Sequence, residues 1–362
     1  MKGDNALGDQ ILVEHARLRR FTELLYCSAG LSTEDAAICA ECTIKTNLWG
    51  VDSHGVLRTP AYIQRILKKA VNPSPKLAYL SAADGPLSLM DGDAGMGYVV
   101  GTKAMRETIG KAAKFGMGAI LVKNSNHFGA ASLFARMAAE KGMIGMATTN
   151  VKPNIGMPGA KKPVTGNNPL ALAAPLPGPF PFSLDISMSA VAGGKLLLAQ
   201  KKGEKIPTTW ALDPDGNETD DPFKAFAGIL LPMGMHKGLG LSLFIDILTG
   251  VLGGGPFLQD MKSMYQQADE PSETSHFFCA IDASLFLPDG EFGRRMAAWV
   301  EMIKSTPMVD PSSHQIIPGE IEHLTETKRK AEGVPLPPDL VKELVALGER
   351  FGLNERLTGD HL

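Results

Sequence analysis

Residues 117–150 read MGAILVKNSNHFGAASLFARMAAEKGMIGMATTN. The run MGAILVKNS is an apolar strand, AASLFARMAAEKG has the pattern of a helix, and MIGMATTN is again a strand. Strand–helix–strand is the pattern of a three-layer α/β domain. Between the first strand and the helix stands Asn124-Ser125-Asn126-His127-Phe128-Gly129-Ala130. In α/β sheets ligands bind at such strand ends, and helix N-termini favour phosphate. A polar strand–helix turn is the plainer reading of the same residues.

Upstream of this stretch, LSLMDGDAGMGYVVG reads as a strand and a glycine-rich turn leading into the helix TKAMRETIGKAAKFG. Downstream, PLALAAP and PFSLDIS read as strands. A helix is expected from about Met188 to Lys202, a turn at DPDGN, an apolar helix from Lys237 and a strand at HFFCAIDASLF. The tail reads as a Pro-rich loop and the helix PDLVKELVALGERFG. Residues from about 8 to 48 read as helices, with Ser32 to Asp35 resembling a capping box. The polar break GVDSHGVLRTP follows, then Thr59-Pro60 opens the helix PAYIQRILKKA. A linker at Asn72 to Pro75 closes this helical part. Neither an internal repeat nor a low-complexity region is present.

The chain has 362 residues, 44% hydrophobic and 21% charged, with a net charge of −3. This is the profile of a globular protein of about two domains. A balance so near neutral gives no footprint for nucleic acid or an anionic membrane. The start MKGDNALGDQ lacks the apolar core of a secretory signal. Gly238 to Leu252 is the most apolar stretch, but it is too short to span a bilayer and carries Asp246, so a buried core helix is expected. Four cysteines make no disulfide framework. Cys39 and Cys42 form a CxxC inside a helical segment, where packing or surface thiols are the plainer reading than metal or redox use. Together these features predict a reduced, cytoplasmic protein.

Five of the eight histidines (His15, His276, His314, His323 and His361) stand in contexts that suggest only packing or a solvated face. His54, His127 and His236 stand beside glycines at element boundaries, where function concentrates. In Asp52-Ser53-His54-Gly55-Val56-Leu57-Arg58 an imidazole and a guanidinium are four residues apart, so one helical turn would put them on one face. A histidine can give or take a proton near neutral pH. An arginine binds a carboxylate bidentately. Ser53 is placed to hydrogen-bond the imidazole or a substrate. A capped helix start with a solvated arginine is the competing reading. In Met235-His236-Lys237-Gly238 a cation and free amides at a helix start suit a pyrophosphate, and a snorkelling lysine is the alternative. No G-x-G-x-x-G follows a strand, the glycines of DGDAGMG having the wrong spacing and no helix-opening context. There is also no phosphate loop, H-E-x-x-H or G-x-S-x-G. The residues alone therefore give an α/β enzyme with a histidine-centred site.

Seven motifs in order carry a resemblance: DSHGVLRTPAY, NSNHFGAA, VTGNNPLALAAP, FSLDISMSAVAGGK, IPTTWALDPDGNETDDP, MHKGLGLSL and IPGE. The set, spanning nearly the whole chain, is similar to the malate/L-lactate dehydrogenase family that is unrelated to the Rossmann-type enzymes. That family includes ureidoglycolate and sulfolactate dehydrogenases, diketogulonate reductase and piperideine-2-carboxylate reductases. The resemblance implies a non-Rossmann α/β fold with a mixed sheet that binds NAD or NADP, a helical arm built from both chain ends, and a homodimer. It divides the chain into an arm at 1–78 carrying Ser53, His54 and Arg58, a central cofactor-binding domain at 79–322, and a helical segment at 323–362 packing on the arm.

By the same resemblance, His54 is the proton donor paired with Ser53, Arg58 binds the substrate carboxylate, and His127 ranks second for catalysis or contacts the cofactor. Phe128 and Gly129, Asn150, the strand end Asp185-Ile186-Ser187, His236, Lys237, and Pro318-Gly319-Glu320 are expected around the cofactor. No metal is implied. Lys195 stands where cyclic-imine reductases have Asp, and its charge would favour an oxo or hydroxy acid over a protonated imine. Asn167 replaces the Thr of the usual G-T-N-P motif, at a position that touches substrate in some members. The expected reaction is hydride transfer between NAD(P) and a small 2-hydroxy or 2-oxo acid. Ureidoglycolate oxidation and cyclic imino-acid reduction on the same fold are the alternatives, then dinucleotide binding without catalysis and, last, a metal hydrolase.

Overall fold

The computed structural model describes residues 10–357. His361 lies outside the described residues, as do both extreme ends of the chain. In chain order the elements begin with β1 (Ile11–Val13), α1 (His15–Ser28), α2 (Thr33–Leu48), α3 (Thr59–Leu67), β2 (Ala78–Tyr79) and β3 (Leu87–Asp91). The centre holds α4 (Gly97–Phe115), β4 (Met117–Ser125), α5 (Ser132–Ala139), β5 (Met143–Thr149), β6 (Leu170–Ala174) and β7 (Phe182–Ile186). Next come α6 (Gly193–Lys202), β8 (Ala211–Leu212), α7 (Pro222–Ala227), β9 (Ile229–Leu230) and α8 (His236–Asp246). The chain ends with β10 (Thr274–Asp282), α9 (Glu291–Lys304), α10 (Glu320–Glu332), β11 (Val334–Leu336) and α11 (Pro338–Arg350).

Seven strands form one mixed sheet in the order β2-β3-β4-β10-β5-β6-β7. The strand–helix–strand unit of β4, α5 and β5 is present, but β4 and β5 are not neighbours. β10 enters between them, antiparallel to both. Within this sheet, among the described residues, only β3 and β4 pair in parallel. Thr274 to Ala280 of β10 are buried apart from Phe277, as a central strand covered on both faces must be. Helices α4 and α5 lie side by side against the sheet, and α2 packs over them. One apolar cluster runs without a break from Phe21, Leu25 and Tyr26 of α1 to Phe134 of α5 and Phe278 of β10. Leu340, Val341 and Leu344 of α11 belong to the same cluster, and β1 pairs with β11. Both chain ends therefore share a core with the sheet. The boundary read at 322/323 falls inside α10.

Several local expectations change. Residues 11–13 form a strand because β11, more than 300 residues away in sequence, supplies its ladder. Helix α4 opens at Gly97, five residues before the expected start, which overturns the reading of DGDAGMG as lacking a helix-opening context. Burial of Tyr98, Val99 and Val100 outweighs the weak helix propensity of GYVVG. A Cβ on Gly97 would lie 2.3 Å from the carbonyls of Asn126 and His127, so glycine lets this helix end abut the NHFG turn. Helix α6 starts at Gly193 rather than Met188, because residues 188–190 pair with 231–233 instead. The strand at HFFCAIDASLF ends at Asp282, whose side chain caps a short turn. The tail expected as a loop contains α9 and α10, which its prolines bracket without entering. The apolar helix α8 is only half buried: Leu241 and Phe244 are exposed. Among the described residues no helix is long and apolar enough to cross a membrane. Cys39 and Cys42 are buried free thiols within α2, and burial pushes both upward, Cys42 to about 11.

Asn150, expected near the cofactor, is fully buried just after β5. Its Oδ1 accepts from Ser275 N at 2.9 Å, and its Nδ2 donates to the Pro256 carbonyl at 2.9 Å. The carboxamide thus pins the strand end to β10 and to the loop after α8, with both its ends engaged. Asn150→Ala strips partners from two backbone groups and should destabilise the fold by about 2–4 kcal/mol. Denaturant unfolding of the purified variant measures this, and a change below about 0.5 kcal/mol would contradict the assigned role.

Candidate active site

Asp52–His54 and Val56–Arg58 each form one 3₁₀ turn. Gly55 between them (φ −86°, ψ −147°) leaves the helical path, so His54 and Arg58 do not share a helix face as their spacing predicted. Arg58 instead folds back, its Nε donating to the Ser53 carbonyl at 2.6 Å. The cause lies in α2. Asn47 Oδ1 accepts from Val56 N at 2.7 Å, and Asn47 Nδ2 donates to Asp52 at 2.6 Å. A Cβ on Gly55 would stand 2.3 Å from that carboxamide oxygen, so the turn is wrapped directly on Asn47.

His127 comes from the NHFG turn after β4, and its ring stacks on His54 with centroids 5.5 Å apart and planes 24° apart. Ser53 Oγ lies 2.9 Å from His54 Nδ1, and Tyr62 OH 2.5 Å from His127 Nδ1. Tyr98 OH donates to the His54 carbonyl at 2.9 Å. Both imidazoles are therefore held at Nδ1. Among the described residues neither Nε2 has a hydrogen-bond partner. Burial, and then the Arg58 charge, lower His54 to about 4. Burial, then His54 and Arg58, hold His127 well below its ordinary value. Two neutral rings thus face each other at pH 7, as base-form imidazoles.

The other residues of NHFG are structural. Phe128 is fully buried and stacks on His276 at 4.5 Å. Gly129 has φ +78°, and a Cβ there would lie 2.3 Å from the Tyr98 ring. Arg65, 2% exposed, donates to Asn126 Oδ1, Ser272 Oγ and the carbonyls of Met264, Gln267 and Glu270. It thereby straps the segment before β10 onto α3. That segment carries Tyr265, whose hydroxyl meets Arg58 Nη1.

A second group gathers around the end of β7. Asp185 Oδ2 accepts from Ser132 N at 2.8 Å, capping α5 just beyond NHFG. Ile186 pairs with Leu170 in the sheet. Ser187 Oγ lies 3.1 Å from Ser189 Oγ. The Asn167 carbonyl accepts from Met188 N, and the Met188 carbonyl from Met233 N. The loop then turns through Met235 (φ +58°) into α8. His236 and Lys237 are exposed at that helix start, which has no side-chain cap. The Pro318 carbonyl accepts from Ser183 N, docking the IPGE loop on β7, and Gly319 adopts φ +101°. Glu320 faces Lys304, His314 and the Ile317 amide, so its carboxylate is held within the protein. Lys195 is exposed in the first turn of α6, and its ammonium has no partner among the described residues.

Ser53, His54, Arg58 and His127 thus form one cluster. Asn167, Ser187 and the start of α8 form another, tied together through main-chain bonds. Among the described residues no hydrogen bond or ion pair links Lys195, His236 or Lys237 to the histidines. Asn47, Tyr62, Tyr98, Arg65 and Tyr265 were not expected in the site. Tyr62 lies within the DSHGVLRTPAY motif, but its partner His127 is 65 residues away. The residues present fit a dinucleotide. At this uncapped N-terminus of α8 the amides of Lys237, Gly238 and Leu239 are taken by the carbonyls of Gly234, Met233 and Met235, and the exposed ammonium of Lys237 is the group that would meet a pyrophosphate.

The chain shares its fold with sulfolactate dehydrogenase from Methanocaldococcus jannaschii: the TM-score is 0.89 and the identity 33%, over 95% of this chain and 98% of that one. The architecture is therefore that of an α/β dehydrogenase outside the Rossmann type. The chain belongs to the malate/L-lactate dehydrogenase family, which it matches over residues 13–345. It is similar to malate dehydrogenase of Pyrococcus horikoshii, with 38% identity over 352 residues and 95% and 96% of the two chains covered. It is also similar to the NAD(+)-dependent ureidoglycolate dehydrogenase of Escherichia coli K12, with 30% identity over 335 residues, 92% of this chain and 95% of that one.

The neutral histidine pair can be read directly. The His54 ring protons should titrate in NMR with a midpoint near 4 instead of about 6.5, and Arg58→Ala should move that midpoint upward. A wild-type midpoint near 6.5 would contradict the burial described.

Proposed function

We propose that the protein transfers hydride between NAD or NADP and a small 2-hydroxy or 2-oxo acid, with malate- and lactate-like acids the first to test. The observation that carries this reading is a neutral imidazole, His54, anchored by Ser53 and beside the guanidinium of Arg58. Relatives named for NAD(+) and for NADP(+) support use of a nicotinamide.

The bound cofactor supplies the hydride donor or acceptor. Everything else is the work of this chain. Arg58 binds the substrate carboxylate and fixes the carbon bearing the reacting oxygen. In the oxidative direction His54 Nε2 accepts the hydroxyl proton, for which its depressed basicity keeps it ready at neutral pH. In the reductive direction the same nitrogen returns the proton to the nascent alkoxide. A carboxylate at Arg58 offsets the charge that lowers His54, so substrate binding itself raises the imidazole toward a useful acid. Ser53 holds the ring at Nδ1, and Tyr98 holds the His54 main chain. His127, stacked on His54 and held by Tyr62, is the second candidate for the proton. His236 and Lys237 receive the pyrophosphate. Lys195, a cation with no partner among the described residues, favours oxo and hydroxy acids over protonated cyclic imines.

The apolar stripe of Leu241, Phe244, Ile247 and Val251, exposed along α8 and its continuation, supports a homodimer. A cytoplasmic location agrees with the free thiols.

Two measurements test the reading. His54→Ala should lower kcat by about 10²–10⁴-fold, with nucleotide affinity, read by the fluorescence of the reduced cofactor, unchanged. Turnover that survives the change would transfer the proton to His127. On the pH axis, an imidazole depressed to about 4 is in its base form throughout pH 6–8. Hence kcat/KM for hydroxy-acid oxidation should be flat there, while that for oxo-acid reduction falls about tenfold per pH unit. A reductive profile that is flat from pH 5 to 8 would sink the assignment.

A further inference from the structure

The guanidinium of Arg58 is only partly used by the protein. Its Nε donates to the Ser53 carbonyl, and Nη1 donates to the hydroxyl of Tyr265. Among the described residues Nη2 has no hydrogen bond, and no carboxylate pairs with Arg58. Of the five N–H groups on an arginine, three are left, on the edge that a carboxylate would take bidentately. A tyrosine hydroxyl is one donor and an acceptor. Here the oxygen already accepts from Arg58, and among the described residues its proton has no acceptor. Tyr265 is 58% exposed and its ring centroid lies 5.6 Å from Arg58 Cζ, so packing does not account for its position.

We propose that Tyr265 is a substrate-binding residue whose hydroxyl donates to the same carboxylate that Arg58 binds. The proposal rests on the dehydrogenase reading and extends it by a residue. Its oxygen takes charge from the guanidinium, and its proton points to an anion lodged on the free edge. The donor set becomes two guanidinium N–H groups and one O–H, which suits a carboxylate and not its amide. The segment that carries Tyr265 has no regular structure from Lys262 to Glu273. Arg65 makes its placement reproducible, since the buried guanidinium fastens residues 264, 267, 270 and 272 to α3 and to Asn126. On the far side Gln266 meets Lys152 Nζ at 2.9 Å, anchoring the next residue to the loop after β5. Tyr265 is thereby held between the arm that carries Arg58 and the sheet.

The test is Tyr265→Phe, which removes one oxygen and keeps the ring. Three quantities are measured on wild type and variant: KM and kcat with a panel of 2-oxo acids and NADH or NADPH, inhibition by oxamate, and cofactor affinity by nucleotide fluorescence. The expected result is a rise of about tenfold in KM and in the oxamate inhibition constant, with kcat within about twofold and cofactor affinity unchanged. Tyr265→Ala, which also loses the ring, should be no better than Tyr265→Phe. A KM and inhibition constant within twofold of wild type overturn the proposal and leave the dehydrogenase reading standing. A fall in kcat at constant KM overturns it too, because the hydroxyl would then act at the reacting carbon. A wild-type protein with no turnover on any acid and no nucleotide binding takes down the underlying reading and this proposal with it.

Discussion

Arg329, on α10, grips Asp52 with both ends of its guanidinium, at 2.6 and 2.8 Å. The same Asp52 oxygen accepts from Asn47 Nδ2, and Arg329 also donates to the Asn47 carbonyl. From the other end of its side chain Asn47 holds the Val56 amide. Asp52, Asn47 and Val56 enclose Ser53 and His54, so the shape of the turn that carries His54 is set by a residue 277 positions away. A bidentate, partly buried pair inside such a network is worth more than an exposed ion pair. Trp49 reinforces the join: its indole donates to Glu326, and Arg136 of α5 lies 4.1 Å over its ring. The last quarter of the chain therefore helps to shape the candidate site.

Burial sets the chemistry inside that frame. His54, His127 and His276 are all lowered by desolvation first, His276 to about 3. All three fold as neutral rings, whereas an unfolded chain protonates them near 6.5. The unfolded chain thus binds more protons below that pH. The stability these rings allow is complete above about 6.5 and is lost as pH falls toward 4 for His54 and 3 for His276. The rings nevertheless serve different ends. His276 bonds Thr149 and stacks on Phe128, a core role. Among the described residues the Nε2 of all three lacks a partner, but His276 is sealed in the core whereas His54 and His127 are only partly buried.

What could be read from sequence follows from what is local. The strands and helices around residues 117–150 are written in short-range periodicity, and so are Ser32 as a cap, which holds Asp35 N at 3.1 Å, and Pro60 in the first turn of α3. The insertion of β10 between β4 and β5 is not, because each register pairs residues about 130 to 160 positions apart. The site behaves the same way. Ser53, His54, Arg58 and His127 each carry the chemistry of their residue type. Their partners Tyr62, Tyr265 and Arg329 are defined only once the chain has folded. Residue type also leaves out where a polar group is engaged internally: Asn150 and Glu320 read as cofactor neighbours, and their side chains bond Ser275, Pro256, Lys304 and Ile317.

Backbone strain gives an independent view of the same two regions. Among the non-glycine residues with positive φ, Asn124 lies three positions before His127, and Met235 immediately precedes His236. Asp93 and Ala94 are two more, and the Ala94 carbonyl accepts from Asn126 within the NHFG turn. For an unbranched residue such as Met235 this conformation costs about 1–3 kcal/mol and persists only where its surroundings dictate it. Here the Gly238 amide bonds the Met233 carbonyl, and Met233 N bonds Met188, which fixes the turn. The result is a helix start that exposes His236 and Lys237 without a glycine fingerprint. A Rossmann protein reaches a phosphate through glycines that let the backbone approach. In this chain a strained methionine turn leads instead to the exposed cation of Lys237, the candidate phosphate contact within M-H-K-G.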